Sequence, residues 1–408
     1  MKYTFFILIS FSSLLATSQL FVDTDLAVNG GGILKVQNNS LTTGANGNLE
    51  NAGMVNVDYD YVNNGISTGF STSTGEYKIG GNWENNNSFT ADNSTVHLIN
   101  ADKLITGTSP TDFYTLRLTG GKKLMTVDAS AVWLDLGIEH LLTDENVMLI
   151  NNTDPTSLIY TTGYISSRGD GHLKRKTQST STYTFPLGSD VGDFRLRPIY
   201  FTPTDNNANT FGARLANNEA TNDGYSLDDK SPLVNQLNPL YYHHLYHSEG
   251  NSTTDVTFFY NTDEDEVIET IGRWNNEWTI VDNVSNGNSS SSISSLTLSN
   301  FDDFSDRPFI LASKGELIYI PNAITPNGDG HNETLELVYD DDKLRSFMFL
   351  IFDRWGNQIF ESHHSNFSWD GTSKGQKVQT GAYVWKMQYQ EKGSSDIIEK
   401  LGTISVFN

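Results

Sequence analysis

Three short segments of this chain repeat one pattern, and that pattern limits the fold more than any other feature. They are Leu49-Glu50-Asn51-Ala52-Gly53-Met54, Tyr61-Val62-Asn63-Asn64-Gly65-Ile66 and Trp83-Glu84-Asn85-Asn86-Asn87. Each sets an apolar residue, a variable one and an Asn before a Gly- or Asn-rich bend. Asn and Gly accept left-handed backbone angles, so such bends read as corners between strands. Stacked corners would let Asn side chains hydrogen-bond in a ladder, as in a β-solenoid. The separations from Asn51 to Asn63 and from Asn63 to Asn85 are unequal. An irregular solenoid and a β-sandwich with long hairpins therefore both fit, and the repeat favours the solenoid. Further strands follow at Val96–Ile99, Phe113–Leu118, Leu124–Val127, Val132–Leu136 and Val147–Ile150, and no segment carries the periodicity of an amphipathic helix.

A signal peptide is expected over residues 1–18. Lys2 precedes an apolar run from Phe5 to Leu15, and Ala16-Thr17-Ser18 supplies the small residues a signal peptidase reads. The run is short for a membrane span, and no later segment is long enough to be one. Residues 19–155 are then the solenoid-like region. Residues 156–313 contain short strands and turns, among them Tyr183–Gly188, Arg195–Ile199, Tyr241–His247, Val256–Tyr260 and Trp274–Val281, and read as a central β-sandwich. Ser289–Ser295 reads as a loop and Ser313–Glu316 as a linker. The expected class is all-β throughout.

Composition narrows the partners. Lys and Arg total 26 against 49 Asp and Glu, a formal charge of -23, which repels phosphate backbones and anionic lipid and excludes nucleic acid as a main partner. Without cysteine there are no disulfides or thiolate sites.

The final region, 316–408, carries the most specific motifs. Ile320-Pro321-Asn322-Ala323-Ile324-Thr325-Pro326-Asn327-Gly328-Asp329-Gly330-His331-Asn332 is followed by Phe352-Asp353-Arg354-Trp355-Gly356-Asn357. Trp369-Asp370-Gly371-Thr372 and Gly381-Ala382-Tyr383-Val384-Trp385 come next. In order, spacing and position this resembles the gliding-motility-associated C-terminal domain, the type B sorting domain of the type IX secretion system. The resemblance implies contact with that secretion machinery and passage across an outer membrane to the cell surface or beyond. It places the sorting motif on Pro321, Asn322, Thr325, Pro326, Asn327, Gly328, Asp329, Gly330, Asn332, Arg354, Trp355, Gly356, Trp369, Asp370, Gly371, Gly381 and Tyr383. Asn332-Glu333 stands where the family usually has Asn-Asp, and the chain ends Ser405-Val406-Phe407-Asn408 rather than in a basic residue. Read physically, the region is a small immunoglobulin-like sandwich with Trp355, Trp369, Tyr383 and Trp385 as core aromatics.

Other candidate sites are weaker. Asn327, Asp329 and Asn332 offer oxygen ligands spaced like the start of a calcium loop, but the glutamate that completes an EF-hand is missing, and Asx turns account for the same residues. No other cofactor is expected. On a strand, His243 and His247 share a face while His244 points away, so a Tyr/His-rich sandwich strand is preferred to a metal site. His363-His364 beside Glu361, and the acidic run Asp263-Glu264-Asp265-Glu266, read as solvated loops. No nucleophile elbow, phosphate loop or His-Glu-x-x-His motif is present, so the expectation is a non-enzymatic, gliding-associated adhesion or surface-structure protein. The alternative is an extracellular polysaccharide-binding or polysaccharide-degrading protein, which exposed Trp83 or Trp133 in a groove would favour.

Overall fold

The computed structural model describes residues 19–69, 74–189, 191–287, 292–304, 307–315, 318–339, 344–392 and 396–408. The expected signal peptide lies outside them. Strands hold 56% of the chain and helix 2%, and a β-solenoid of about seven turns runs over residues 19–175, past the edge expected at 155. No helix among the described residues is long and apolar enough to cross a membrane.

The solenoid is built from parallel strands that recur once per turn. One sheet begins with Gln19–Val22, Ser40–Thr43, Tyr61–Asn63 and Trp83–Asn85. Another begins with Ile33–Val36, Met54–Val57, Glu76–Ile79 and Thr95–Leu98. A third, Asp25–Val28 to Ser88–Thr90, accompanies only the early turns. Alternation sends every second residue inward, and parallel register stacks equivalent residues. Leu34, Val55, Tyr77, Val96, Leu116 and Leu134 form one column, and Leu41, Tyr61, Trp83, Ile105 and Met125 another. Tyr61 stacks on Trp83 with ring centroids 4.7 Å apart, and Phe113 packs against the same indole at 5.6 Å. Trp83 is therefore core, at 0% exposure, and not a groove residue; Trp133 is half-buried.

The register explains the unequal Asn spacing. Thr43, Asn63 and Asn85 align at the end of one sheet, whereas Asn51 ends a strand of the third sheet, where it aligns with Val28. The ladder thus contains Asn63 and Asn85 but not Asn51. Gly53 and Gly65 are also not in the left-handed region expected for corners. They are required by crowding: a Cβ on Gly65 would lie 2.3 Å from the carbonyl oxygens of Gly44 and Gly47, and one on Gly53 2.3 Å from that of Gly32. Left-handed angles fall instead on Asn38, Asp92, Asp102 and Asp144 and on other glycines, among them Gly31, Gly120 and Gly137.

At His172–Thr177 the second sheet changes character. This strand is parallel to Val147–Ile150 on one side and antiparallel to Asn209–Ala216 on the other. Tyr242–Glu249 and Pro308–Lys314 extend it. A five-stranded antiparallel sheet, with Ile199–Pro203, Thr254–Asn261 and Ile293–Phe301 at its centre, packs on this extension through Phe201 on Phe211 (5.0 Å) and Phe258 on Phe309 (6.0 Å). The central sandwich therefore shares a sheet with the solenoid. Buried Arg175 secures the junction, donating to the carbonyls of Thr184 (2.9 Å) and Pro155 (2.9 Å), and burial pulls its pKa down to about 10. Of the Ser-rich stretch expected as a loop, Ile293, Ser294 and Ser295 are strand residues paired with Asn261, Tyr260 and Phe259, and both serines are buried.

A second compact unit comprises residues 228–237, 276–280 and 312–408. Ser313 and Lys314 belong to a strand here, paired with Leu237–Val234, and not to a linker; Glu316 lies outside the described residues. The C-terminal sheet has the order Ala323–Ile324, Ile397–Val406, Gly381–Glu391, Leu344–Phe352, Gln358–Ser362. Two short ribbons accompany it. Its core includes Phe349, Ile351, Trp369, Tyr383, Met387 and Ile404.

Candidate functional sites

The sorting-motif residues fall into two clusters within the C-terminal unit. In the first, Ala323 and Ile324 lie parallel to Ser405 and Val406, which stitches the opening motif to the end of the chain. The loop after it is held by Asx turns. Asn327 Oδ1 accepts from the Asp329 amide (2.9 Å), Asp329 Oδ1 accepts from the His331 amide (2.8 Å), and Asn327 Nδ2 donates to Asp329 Oδ2 (3.0 Å). The bond from the His331 amide, then that from Asn327, holds the Asp329 carboxyl below the usual carboxylate range. Gly328 and Gly330 take φ of +86°, which only glycine adopts freely. Glu333 reaches back to accept from the Gly330 amide (3.0 Å). Asn332 closes the loop through its carbonyl, which accepts from the Thr325 amide. The three calcium candidates thus carry the turn itself.

Trp369 and Leu335 exchange backbone hydrogen bonds, bringing Trp369-Asp370-Gly371 against this loop. The indole donates to the Thr372 carbonyl (2.8 Å), and Asp370 Oδ1 accepts from the Thr372 hydroxyl (2.7 Å). Gly371 sits under Pro326, where a Cβ would meet the ring at 3.2 Å, and its φ is +72°.

The second cluster joins Arg354-Trp355-Gly356 to Gly381-Ala382-Tyr383. Asp353 accepts from the amides of Trp355 and Asn357 (both 2.8 Å) and from Asn357 Nδ2 (2.9 Å), which fixes a tight turn. Arg354 donates to Gln379 (3.0 Å), and the Tyr383 hydroxyl donates to the Gln379 carbonyl (2.6 Å). Between these segments lies a concavity of about 400 Å³. Trp369 and Tyr383 are core residues, as expected, whereas Trp385 is partly buried and packs against that core. Trp355 is not a core residue: it is 80% exposed at the tip of the turn that Asp353 holds.

The remaining candidates sit elsewhere. His243 donates to the Arg197 carbonyl (3.1 Å), and complete burial lowers its pKa to about 4. His244 points away, lowered to about 3 by burial and by Arg214, while His247 stacks on Phe211 and bonds Asn209 (3.0 Å). His243 and His247 thus have separate partners on one face of the strand, and His244 lies on the other. Among the described residues no group of three or more His, Asp or Glu could hold a metal. His363 bonds Glu361 (2.8 Å) on an exposed strand end.

Asp265 corrects the reading of the acidic run as a solvated loop. Its side chain is buried, and it takes both Arg197 Nε (2.9 Å) and Nη2 (2.8 Å) while accepting from the Tyr241 hydroxyl (2.9 Å) and the Asn261 amide (2.8 Å). Glu264 adds a second, half-exposed contact to Arg197 (2.9 Å). Four charges in a row gave no hint that one faced inward. Nor did the sequence flag Arg214, although a charged residue inside the apolar strand Asn209–Ala216, buried along its whole length, is an available signal.

Taken together, the chain is a solenoid and sandwich followed by a compact C-terminal sorting module. Residues 318–405 match the model of the CHU_C type IX secretion signal domain, so the C-terminal module is a type IX secretion signal and the protein is an exported one. No curated protein matches the chain. No solved structure matches it either.

Proposed function

We propose that this is a non-enzymatic surface protein, delivered by the type IX system through contacts of its C-terminal module, whose solenoid serves adhesion or surface structure. One observation carries the reading beyond export. The outward face of the second solenoid sheet aligns Lys35, Asn56, Lys78, His97, Arg117 and Asp135, one per turn. Parallel register spaces such residues at about 4.8 Å, giving a regular polar face suited to an extended surface rather than a single small substrate. Along it Arg117 pairs with Asp135 (3.0 Å), and His97 lies beside Glu76 (3.5 Å). The test compares cells carrying the full chain, cells lacking residues 316–408, and cells lacking the gene. Truncation should abolish arrival at the surface, and loss of the gene should reduce attachment. Surface arrival of the truncated chain, or unchanged attachment of the null cells, would refute it.

A second reading, polysaccharide binding, is favoured by a groove of about 340 Å³ on the solenoid flank, lined by Phe89, Tyr114, Asp92 and Asp112. Aromatic faces beside carboxylates suit sugar rings. A glycan array separates the two readings.

A further inference from the structure

A separate cavity of about 240 Å³ opens where the solenoid meets the sandwich, lined by Ser167, Arg168, Ser189, Arg214, Asn218 and Asp223 among others. Arg214 is the residue that needs explaining. It sits in a strand with no solvent face, is 8% exposed, and lines this cavity. Its Nε is buried without a hydrogen-bond partner. That nitrogen is closed off from the cavity, so Arg214 meets it through the rest of its side chain. Its counter-charge, Asp223, is already engaged by the Tyr242 hydroxyl and by Asn218 Nδ2 (3.0 Å).

The lining is rich in donors. Ser167 Oγ accepts from Thr143 (2.7 Å), and Ser189 Oγ accepts from the Val191 amide (3.1 Å), so both hydroxyl protons remain to donate. Exposed Arg168 adds a second guanidinium at the mouth, and against the single carboxylate of Asp223 the cavity is net positive. Pockets for drug-sized ligands run to about 300–1,000 Å³, so this one takes a single ring. Val191, exposed at the rim, offers an apolar edge.

We propose that this cavity binds the carboxylate of an acidic sugar, a uronic acid residue. The carboxylate pairs with Arg214 and Arg168, the serine hydroxyls donate to it or to ring oxygens, and Asp223 and Asn218 accept from sugar hydroxyls. A guanidinium matches a carboxylate in two-pronged fashion, which a neutral sugar lacks. The overall charge of -23 does not forbid this, since screening limits distant charges to about 8–10 Å at physiological salt. The inference rests on the proposed surface role only in that residues of this unit meet the exterior. Binding by the purified chain is measured independently of where the protein travels.

The test is calorimetry on the full chain at physiological salt with galacturonate, a galacturonate trimer, galactose and inorganic phosphate. Saturable galacturonate binding is expected, with galactose and phosphate at least about tenfold weaker. The trimer reports whether the source is a free acid or a polymer end: tighter binding of the trimer assigns the polymer, and equal binding the free acid, both supporting the site. Arg214→Met should weaken binding by about tenfold or more. Because that substitution is buried, exposed Arg168→Gln is the companion and should weaken binding severalfold with the fold intact by circular dichroism. Equal affinity for galactose or phosphate, no heat from galacturonate, or wild-type affinity in Arg168→Gln would overturn the proposal.

Discussion

Asn63 is the residue on which the solenoid ladder can be tested most sharply. Its Oδ1 accepts from Thr43 Oγ1 (2.7 Å) and Ser67 Oγ (2.9 Å), and its Nδ2 donates to Asn85 Oδ1 (2.8 Å) and the Ser88 carbonyl (2.9 Å). It is wholly buried. Replacement by Ala removes all four bonds, but the partners suffer unequally. Ser67 keeps the Tyr61 hydroxyl (2.6 Å) and Thr43 the distant Val62 carbonyl (3.5 Å). Asn85 Oδ1 and the Ser88 carbonyl lose Asn63 as their donor. Two stranded acceptors at about 1–2 kcal/mol each and two weakened bonds at about 0.5 kcal/mol give a loss of about 3–5 kcal/mol. Exposed Asn87, with one bond to the Asn64 carbonyl (3.2 Å), should lose less than about 0.5 kcal/mol on the same change. Hydrogen exchange of peptides spanning residues 61–90 reads the effect locally, which matters because solenoid turns can open in sections. Asn63→Asp should be worse at neutral pH, setting a carboxylate against those two acceptors, and should partly recover in acid. In a double-mutant cycle, Asn63→Ala and Asn85→Ala should be non-additive by about 1 kcal/mol. An Asn63→Ala variant as well protected as wild type would show that the columns of apolar side chains, not the ladder, hold the turns together.

Other outcomes follow from the same geometry. Asp265→Ala should cost about 3–5 kcal/mol in urea denaturation by leaving Arg197 buried and unpaired, whereas Glu264→Gln, at the exposed edge, should cost under about 1 kcal/mol. His243 has a folded pKa near 4, below its ordinary value, so its neutral form stabilises the fold. The unfolded chain binds the proton first, so stability is fully present above about pH 6.5 and falls as pH drops toward 4, by roughly 3 kcal/mol; thermal melts across that window should flatten in His243→Gln. Gly402 faces Trp385 across the sheet, and a Cβ there would lie 2.3 Å from the indole, so Gly402→Ala should displace the ring and shift near-UV circular dichroism. Trp369→Ala should destabilise the C-terminal unit by about 3–5 kcal/mol, while Trp355→Ala should leave its melting unchanged; equal losses would contradict the exposure of Trp355.

Several features were open to reading from the chain alone. Alternating apolar residues and Asn-Gly bends act over a few positions, so they specify strands and turns locally, and the all-β class followed from them. The sorting motifs were likewise legible because Asn327-Gly328 and Asp329-Gly330 carry their own turn chemistry, with both glycines in the left-handed region. What tertiary structure decided was which residues meet. Asn63 joins Asn85 while Asn51 does not, because ladder membership depends on register about 22 residues away, set by the length of each turn. Trp83 is core and Trp355 is exposed, though both are tryptophans beside bend residues; the packing of Tyr61, Phe89 and Phe113 around the first is what separates them. Asp265 turns inward among three acidic neighbours because Arg197, 68 residues earlier, waits beneath it. Arg214 acquires a cavity only where the last solenoid turn meets an antiparallel strand. Burial and pairing are long-range properties, and a local pattern does not contain them.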